Sequence, residues 1–200
     1  MSWLVCHNRT VMPIQRTLTF LFPLAAAIAL PCFAQQTPAN PLTAGEKLVY
    51  SVLSGYAVGA AEKMPEANYA FKPVPEVRTF GQLVGHLADA NNMFCGMVLG
   101  EPRSTTSVEK TVTAKADLVQ ALKDAVAHCN KAYDAMTDSQ AVEMLKFMGR
   151  DMPKLTILSV NNAHTDEHYG NMVTYLRLQG IVPPSSEPRP SAPPAAEPKK

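Results

Sequence analysis

The sequence has little that favours strands or a nucleic-acid partner. No segment alternates apolar and polar residues for long, as a half-buried strand would. It also has no basic stripe, because its 18 Lys and Arg residues are balanced by 17 Asp and Glu residues over 200 positions. A duplex-binding protein needs a basic face to displace counterions from phosphates, so we expect no nucleic-acid partner.

A long apolar run of the kind that spans a membrane is also missing. The apolar stretch at 18–33 is short for a span, and two prolines interrupt it. Preceded by Arg16 and followed by Ala34, it predicts an export signal over residues 1–34, for which Met12 is the better start. The alternatives are an uncleaved anchor and a lipid-attached cysteine. We expect an exported protein, periplasmic or secreted, with no stable membrane span after cleavage.

Cysteine is scarce, and only Cys95 and Cys129 lie beyond the predicted signal. Each falls in a different predicted helix, where cysteine is usually a small buried apolar residue, so we expect two free thiols. A disulfide is the alternative in an oxidising compartment. The sequence does not give the Cα separation on which a disulfide depends.

Four segments have apolar residues at helical spacing and predict an all-α fold, a four-helix bundle. The connection between the first two is long and holds three prolines within 64–78. Thr79 and Gln82 form a capping box that opens the second helix. The predicted helices cover about residues 43–63, 79–100, 113–136 and 154–178. In the first of them, the residues predicted to face inward are Leu48, Val52, Tyr56 and Gly59.

The bundle accounts for one domain, to which we assign residues 42–182. A chain of this length suits a single hydrophobic core. From Pro183 onward there are seven prolines in 18 residues, together with serine and alanine. Such a composition cannot build a core, so residues 183–200 are predicted to be a disordered tail.

Three histidines form a candidate metal site. His164 and His168 are four residues apart and project from one face of the last helix. His86 lies at the inner edge of the apolar face of the second helix. Three imidazoles hold a divalent metal and leave positions open for water or substrate, provided that the two helices are neighbours. The alternative is three ordinary structural histidines.

The segment from His164 to His168 also fits the H-x-x-E-H signature of inverted zinc proteases. Proteases of that class need a third protein ligand well downstream, on a further helix. Only 32 residues follow His168, and their acidic members lie in the proline-rich tail. We therefore treat the match as incidental.

Four polar residues have the spacing to support the histidines. Glu167 precedes His168 and is a candidate general base, and Tyr175 is a candidate for relaying protons. Asp89 and Asn161 are candidates, with these two, for bonding the second nitrogen of a metal-binding imidazole. For each of the four, the alternative is a solvated or packing side chain.

Several short blocks of the sequence occur in a familiar order. They are Ala61–Pro65, Phe71–Pro73, Glu76–Arg78, Phe80–Leu83, His86, His164, Glu167–Gly170 and Tyr175–Ser186. These blocks, spread over about residues 43–186, resemble the DinB-like superfamily, helical bundles named for a DNA-damage-inducible member.

The resemblance implies a four-helix bundle with a long first connection and, as in many members, a homodimer. Members commonly hold a divalent metal with one histidine from the second helix and two from the last. Carried over, these ligands fall on His86, His164 and His168. Zinc and nickel are the expected metals, since three nitrogens suit zinc with an open position and occupancy often follows availability.

For function, we predict a metal-dependent hydrolase or thiol-linked transferase that acts on a small molecule, with metal-bound water or thiolate as the nucleophile. Some relatives are transferases or isomerases that use a low-molecular-weight thiol, but an exported protein would meet little reduced thiol. The alternative is a non-enzymatic metal-binding or ligand-binding module that uses the same three histidines.

Overall fold

The computed structural model describes residues 39–188, so the predicted export signal and the end of the tail lie outside the described residues. The helices are α1 (Pro41–Lys63), α2 (Phe80–Leu99), α3 (Val108–Thr111), α4 (Lys115–Ala135), α5 (Asp138–Ala141) and α6 (Lys154–Leu178). Two short strands, β1 (Met144–Phe147) and β2 (Arg150–Pro153), lie between α5 and α6. Single 3₁₀ turns occur at Glu66–Asn68 and Pro184–Ser186.

The four long helices form the bundle that the sequence predicted, which confirms the all-α fold. α2 packs against α4 and α6, and α1 also packs against α4 and α6. α2 and α6, the two helices that carry the three histidines, are therefore neighbours. No helix within the described part of the chain is both long enough and apolar enough to cross a membrane.

α1 turns a different face to the core from the one predicted. Leu48 and Val52, which were expected to face inward, are 66% and 45% exposed. The buried face instead carries Tyr50, Ala57 and Ala61, each fully buried. The prediction was wrong for Leu48 and Val52, whereas Tyr56 and Gly59 are half-buried and Tyr56 packs against the core. The helix has apolar residues on two faces, and periodicity alone does not show which face a neighbouring helix covers.

Local signals at both ends fix the position of α2. The Thr79 hydroxyl accepts a hydrogen bond from the backbone N–H of Gln82, whose side chain accepts one from the backbone N–H of Thr79. This confirms the predicted capping box. At the other end, Gly100 has φ 76°, a left-handed conformation that favours glycine. His86 is thereby held in the second turn of a well-capped helix.

The segment after α2, which lies between the helices predicted at 79–100 and 113–136, contains α3. The Asp89 carboxylate accepts hydrogen bonds from the Ser107 hydroxyl at 2.7 Å and from the backbone N–H groups of Val108 at 2.8 Å and Glu109 at 3.1 Å. These three bonds satisfy donors at the start of α3 and attach the loop to α2. A four-residue helix is too short to give a periodic pattern, so the sequence predicted no helix here.

β1 and β2 form an antiparallel hairpin that the sequence did not predict. Met148 and Gly149 connect the strands with φ values of 49° and 79°, and a type I′ turn requires positive φ at both positions. Phe147 packs against Phe94 of α2 with ring centroids 5.7 Å apart. Phe94 in turn packs against His164, also at 5.7 Å. The hairpin therefore supports an aromatic wall beside the histidines.

Cys95 and Cys129 form a disulfide that links α2 to α4, so the expectation of two free thiols was wrong. The two helices pack closely enough to bring the Cα atoms within 5.1 Å, a separation that a disulfide spans. Both cysteines are fully buried, in keeping with the apolar character expected of them.

The fold continues beyond residue 182, where the sequence placed the start of the disordered tail. The Tyr169 hydroxyl donates to the Ser185 hydroxyl at 2.7 Å and accepts from the backbone N–H of Ser185 at 2.9 Å. Pro184 lies against Gly59 of α1, where an added Cβ would be 3.2 Å from the proline ring. Residues 183–188 are thus attached to α1 and α6.

Candidate metal centre

The three predicted histidines meet between α2 and α6. His164 Nε2 lies 3.2 Å from His86 Nε2 and 3.2 Å from His168 Nε2. One ligand atom from each of the three residues lies within 4.8 Å of the others. His168 is buried, whereas His86 and His164 are half-buried. The structure therefore brings together the three residues that the sequence assigned to one site.

Two of the three nitrogen–nitrogen separations match those around a tetrahedral divalent cation. Two Zn–N bonds of about 2.0–2.1 Å at a tetrahedral angle place their nitrogens about 3.3 Å apart. The two 3.2 Å separations around His164 Nε2 are close to that value. A single proton on His164 Nε2 can be donated to only one of its two neighbours, whereas a cation satisfies all three nitrogens.

The surroundings of His164 and His168 favour the neutral form of imidazole, which is the form that binds metals. Burial, followed by the charges of His168, His86 and Arg78, lowers the pKa of His164 from 6.5 to about 4. Burial and then the charge of His86 also lower the pKa of His168, against the opposing effect of Glu167. Metal binding needs a free lone pair, so these shifts prepare the cluster to bind at neutral pH.

Glu109 of α3 is the residue that the sequence analysis missed. One of its carboxylate oxygens accepts a hydrogen bond from His86 Nδ1 at 2.9 Å. The other accepts from Arg78 Nε at 2.8 Å. Burial acts to raise the pKa of Glu109, but the hydrogen bonds from Arg78 and His86 lower it below its ordinary value.

A carboxylate can only accept hydrogen bonds, so its contact places the proton of His86 on Nδ1. His86 Nε2 then presents its lone pair to the other two histidines. Carboxylates commonly orient metal-binding imidazoles in this way. Ser107 is of a residue type that often precedes a helix. No local pattern, however, indicates that Glu109 pairs with His86, which is 23 residues away in the sequence.

Tyr175, the predicted proton relay, lies behind the centre rather than in it. Its hydroxyl donates a hydrogen bond to the backbone carbonyl of Arg78 at 2.6 Å. Burial raises the pKa of the Tyr175 hydroxyl, which therefore stays protonated at neutral pH. Tyr175 thus contributes to a chain of contacts that runs through Arg78 and Glu109 to His86.

Glu167 is exposed on α6 next to His168, so its carboxylate is open to solvent. Its charge acts to raise the pKa of His168, against the effect of burial. Its role as a general base stays a prediction.

Asp89 and Asn161, considered as supports for the histidine rings, have other partners. Asp89 holds the start of α3, as described above, and reaches His86 only through Glu109. Asn161 is fully buried, and its amide donates to Asn91 and to the Tyr133 hydroxyl, each at 3.3 Å. Asn161 is therefore part of a buried polar network in the bundle core.

A cavity of about 440 Å³ opens beside the histidines. His86 and His164 lie in its wall, together with Met93 of α2 and the loop over 103–108. Small-molecule sites are concave and commonly have volumes of about 300–1,000 Å³. The histidine cluster is therefore accessible from a space large enough for a small ligand.

Comparisons with known proteins agree with this fold. The profile of the DinB superfamily matches residues 55–172, more than half of the chain. The chain belongs to this superfamily, as the sequence blocks indicated.

Two solved structures share this fold. The chain is similar to a DinB-like protein from Bacillus cereus, with a TM-score of 0.63 and 17% identity over 70% of this chain and 95% of that one. It is also similar to a DinB-like protein from Bacillus subtilis, with a TM-score of 0.53 and 18% identity over 72% of this chain and 94% of that one. At these identities the likeness shows the fold alone. No protein with a curated description matches the chain.

Proposed function

We propose that His86, His164 and His168 bind one divalent metal, zinc or nickel, and that the protein is a metal-dependent enzyme acting on a small molecule. The proposal is based on the meeting of three imidazole nitrogens, with two separations of 3.2 Å around His164 Nε2. A divalent cation there would supply positive charge, which lowers the pKa of a coordinated nucleophile and stabilises a developing anion. Burial favours the neutral form of His164 and His168, and Glu109 orients the ring of His86.

The open cavity supports an enzyme rather than a structural metal site. Structural zinc sites are usually closed by four protein ligands, whereas catalytic sites keep a position for water or substrate. Within residues 39–188, the candidate cluster contains three ligands, and two of them border the 440 Å³ cavity. A substrate in that cavity would lie directly against His86 and His164.

A hydrolase fits better than a thiol-linked transferase. The Cys95–Cys129 disulfide supports the expected export, since disulfides persist in oxidising compartments. A low-molecular-weight thiol would be scarce there in its reduced form. Hydrolysis needs only water, and the exposed carboxylate of Glu167 is our candidate for accepting the proton of the attacking water. Tyr175 acts as a positioning residue through Arg78 and Glu109.

A non-enzymatic metal-binding or ligand-binding module is the second candidate. It is favoured by one observation, which is that the Tyr175 hydroxyl donates to a backbone carbonyl and so has no free proton for a substrate. Of the two residues predicted from the sequence to act on protons, Glu167 is then the one that remains. This favours a site that binds a ligand without converting it.

The first experiment measures metal content and activity in four forms of the protein. The wild type is compared with His164→Ala, His168→Ala and, as a matched control, His128→Ala. His128 is a half-buried histidine outside the cluster, bonded to Glu101 at 2.7 Å and to Asn92 at 3.1 Å. Each form is purified without chelator, titrated with zinc and with nickel, and then assayed on esters, amides and thiol conjugates.

We expect about one metal per chain in the wild type and in His128→Ala, and none in the two cluster variants. Turnover that needs both the metal and His164 supports the enzyme, and Glu167→Gln should then lower kcat with the metal content unchanged. Metal binding without turnover that depends on the cluster favours the second candidate. A wild type that takes up neither metal contradicts both.

A further inference from the structure

The cavity beside the histidines has two walls of different character. One wall comes from the helices and contains His86, His164 and the apolar side chains of Ala90 and Met93. The other wall is formed by the loop before α3 and by α3 itself. The loop brings Arg103 and the hydroxyl residues Ser104, Thr105, Thr106 and Ser107, and α3 brings Lys110. A ligand in this space would meet the histidines on one side and hydrogen-bond donors on the other.

The two cations of this second wall, one from the loop and one from α3, are available to a ligand. Arg103 and Lys110 are both exposed, and neither forms an ion pair or side-chain hydrogen bond with any other residue in the 39–188 range. Arg103 presents a planar set of donors that matches a carboxylate or phosphate, and Lys110 presents a mobile ammonium. Together they supply two positive charges at one side of the cavity.

Among residues 39–188, Asp89 is the only carboxylate that lines the cavity, and it is already engaged. Both oxygens of Asp89 accept hydrogen bonds from the loop, from the Ser107 hydroxyl and from the N–H groups of Val108 and Glu109. Its charge therefore serves to hold the loop in place. The charge balance of the cavity lining is positive, which favours an anionic ligand over a neutral or cationic one.

We propose that the substrate or ligand of this cavity is a small molecule with a carboxylate or phosphate group, bound by Arg103 and Lys110, while its other end lies against His86 and His164. This proposal rests on the proposed function, because the end of the cavity that contains the histidines is taken to hold a metal. The anionic end is recognised by side chains that belong to no part of the histidine cluster. The two halves of the site can therefore be tested separately.

The test uses the protein loaded with Co²⁺, whose visible spectrum changes when a new ligand binds. The probes are imidazol-4-yl alkanoates with one, two or three methylene groups, each compared with the alcohol of the same length. The variant Arg103→Gln/Lys110→Gln is compared with the wild type. The matched control is Lys131→Gln/Arg150→Gln, which removes two exposed cations that do not line the cavity.

In the wild type and the control we expect at least one carboxylate probe to bind about tenfold more tightly than its alcohol, as charge-assisted hydrogen bonds predict. This preference should fall close to one in the Arg103/Lys110 variant and should decrease with added salt. Equal binding of acid and alcohol at all three lengths overturns the proposal, as does a preference that survives in the variant. In either case, normal Co²⁺ uptake leaves the proposed metal site standing.

A second measurement does not depend on the metal. In the metal-free protein, the carboxylate probe should shift the NMR signals of the Arg103 guanidinium and of backbone amides over 103–110, and the alcohol should not. A wild type that takes up no Co²⁺ contradicts the proposed function, and these NMR shifts then decide the anion site on their own. Their absence overturns the anion site.

Discussion

Replacing Glu109 with glutamine tests whether a residue that touches no metal controls the metal site. Glu109 makes two charge-assisted hydrogen bonds, to His86 Nδ1 at 2.9 Å and to Arg78 Nε at 2.8 Å. Glutamine has one acceptor oxygen instead of two, and its amide N–H₂ must face one of these two donors. Glu109→Gln therefore loses one bond and weakens the other.

The expected effect is large enough to measure. Charge-assisted hydrogen bonds contribute about 1.5–3 kcal/mol, and the loss of a carboxylate behind a metal-binding imidazole typically weakens metal binding about 10–100-fold. We expect zinc affinity to fall within that range, because His86 would no longer be held with its Nε2 lone pair towards His164. The affinity is measured by competition with a chromophoric chelator at pH 7.5.

The matched control is Glu101→Gln. Glu101 bonds to His128 Nε2 at 2.7 Å, so it forms the same kind of carboxylate–histidine pair outside the cluster. We expect the control to bind zinc as the wild type does. An unchanged affinity in Glu109→Gln would refute the proposed role of Glu109. An equal loss in both variants would show that the effect is not specific to the cluster.

Three further predictions follow from the geometry. Gly85→Ala should weaken zinc binding, because the added Cβ would lie 2.7 Å from the backbone Cα of Glu109 and force α3 to move. The control Gly55→Ala, whose Cβ would have nothing within 4 Å, should be neutral or should stabilise the protein by up to about 1 kcal/mol in urea unfolding. Cys129→Ala removes a disulfide that closes a loop of 34 residues, so it should lower the free energy of unfolding, measured by calorimetry, by about 3–4 kcal/mol. A loss below about 1 kcal/mol would contradict a formed disulfide. The free energy of unfolding of the metal-free protein should fall by about 1–2 kcal/mol as the pH falls from 6.5 to 4. Over this range His164 binds a proton in the unfolded chain more readily than in the folded protein, where its pKa is lowered. A free energy of unfolding, measured in urea, that stays constant over this range would contradict the lowered pKa.

The sequence predicted the parts of the fold that local patterns determine. The bounds of α6 at Lys154–Leu178 match the prediction, and the capping box that opens α2 is present. With these two helices placed correctly, the positions of His164 and His168 on one face followed from helical geometry alone. The meeting with His86 depended on α2 and α6 being neighbours, which the resemblance to the DinB-like superfamily supplied.

The features that the sequence did not predict depend on contacts between distant residues. The burial of Ala57 and Ala61 instead of Leu48 and Val52 depends on which face of α1 its neighbours cover. The disulfide depends on how closely α2 and α4 pack. Glu109 reaches the site because Asp89 attaches α3 to α2. That contact produces no periodic pattern in the sequence, so it could not be predicted from it.

The central claim is that three imidazole nitrogens from α2 and α6 hold a single divalent cation. Anomalous X-ray scattering from zinc-loaded crystals, recorded on both sides of the zinc absorption edge, locates the metal directly. We predict one peak per chain about 2.0–2.1 Å from the Nε2 atoms of His86, His164 and His168. A peak bound to other residues, or no peak at the cluster in zinc-saturated crystals, would contradict it.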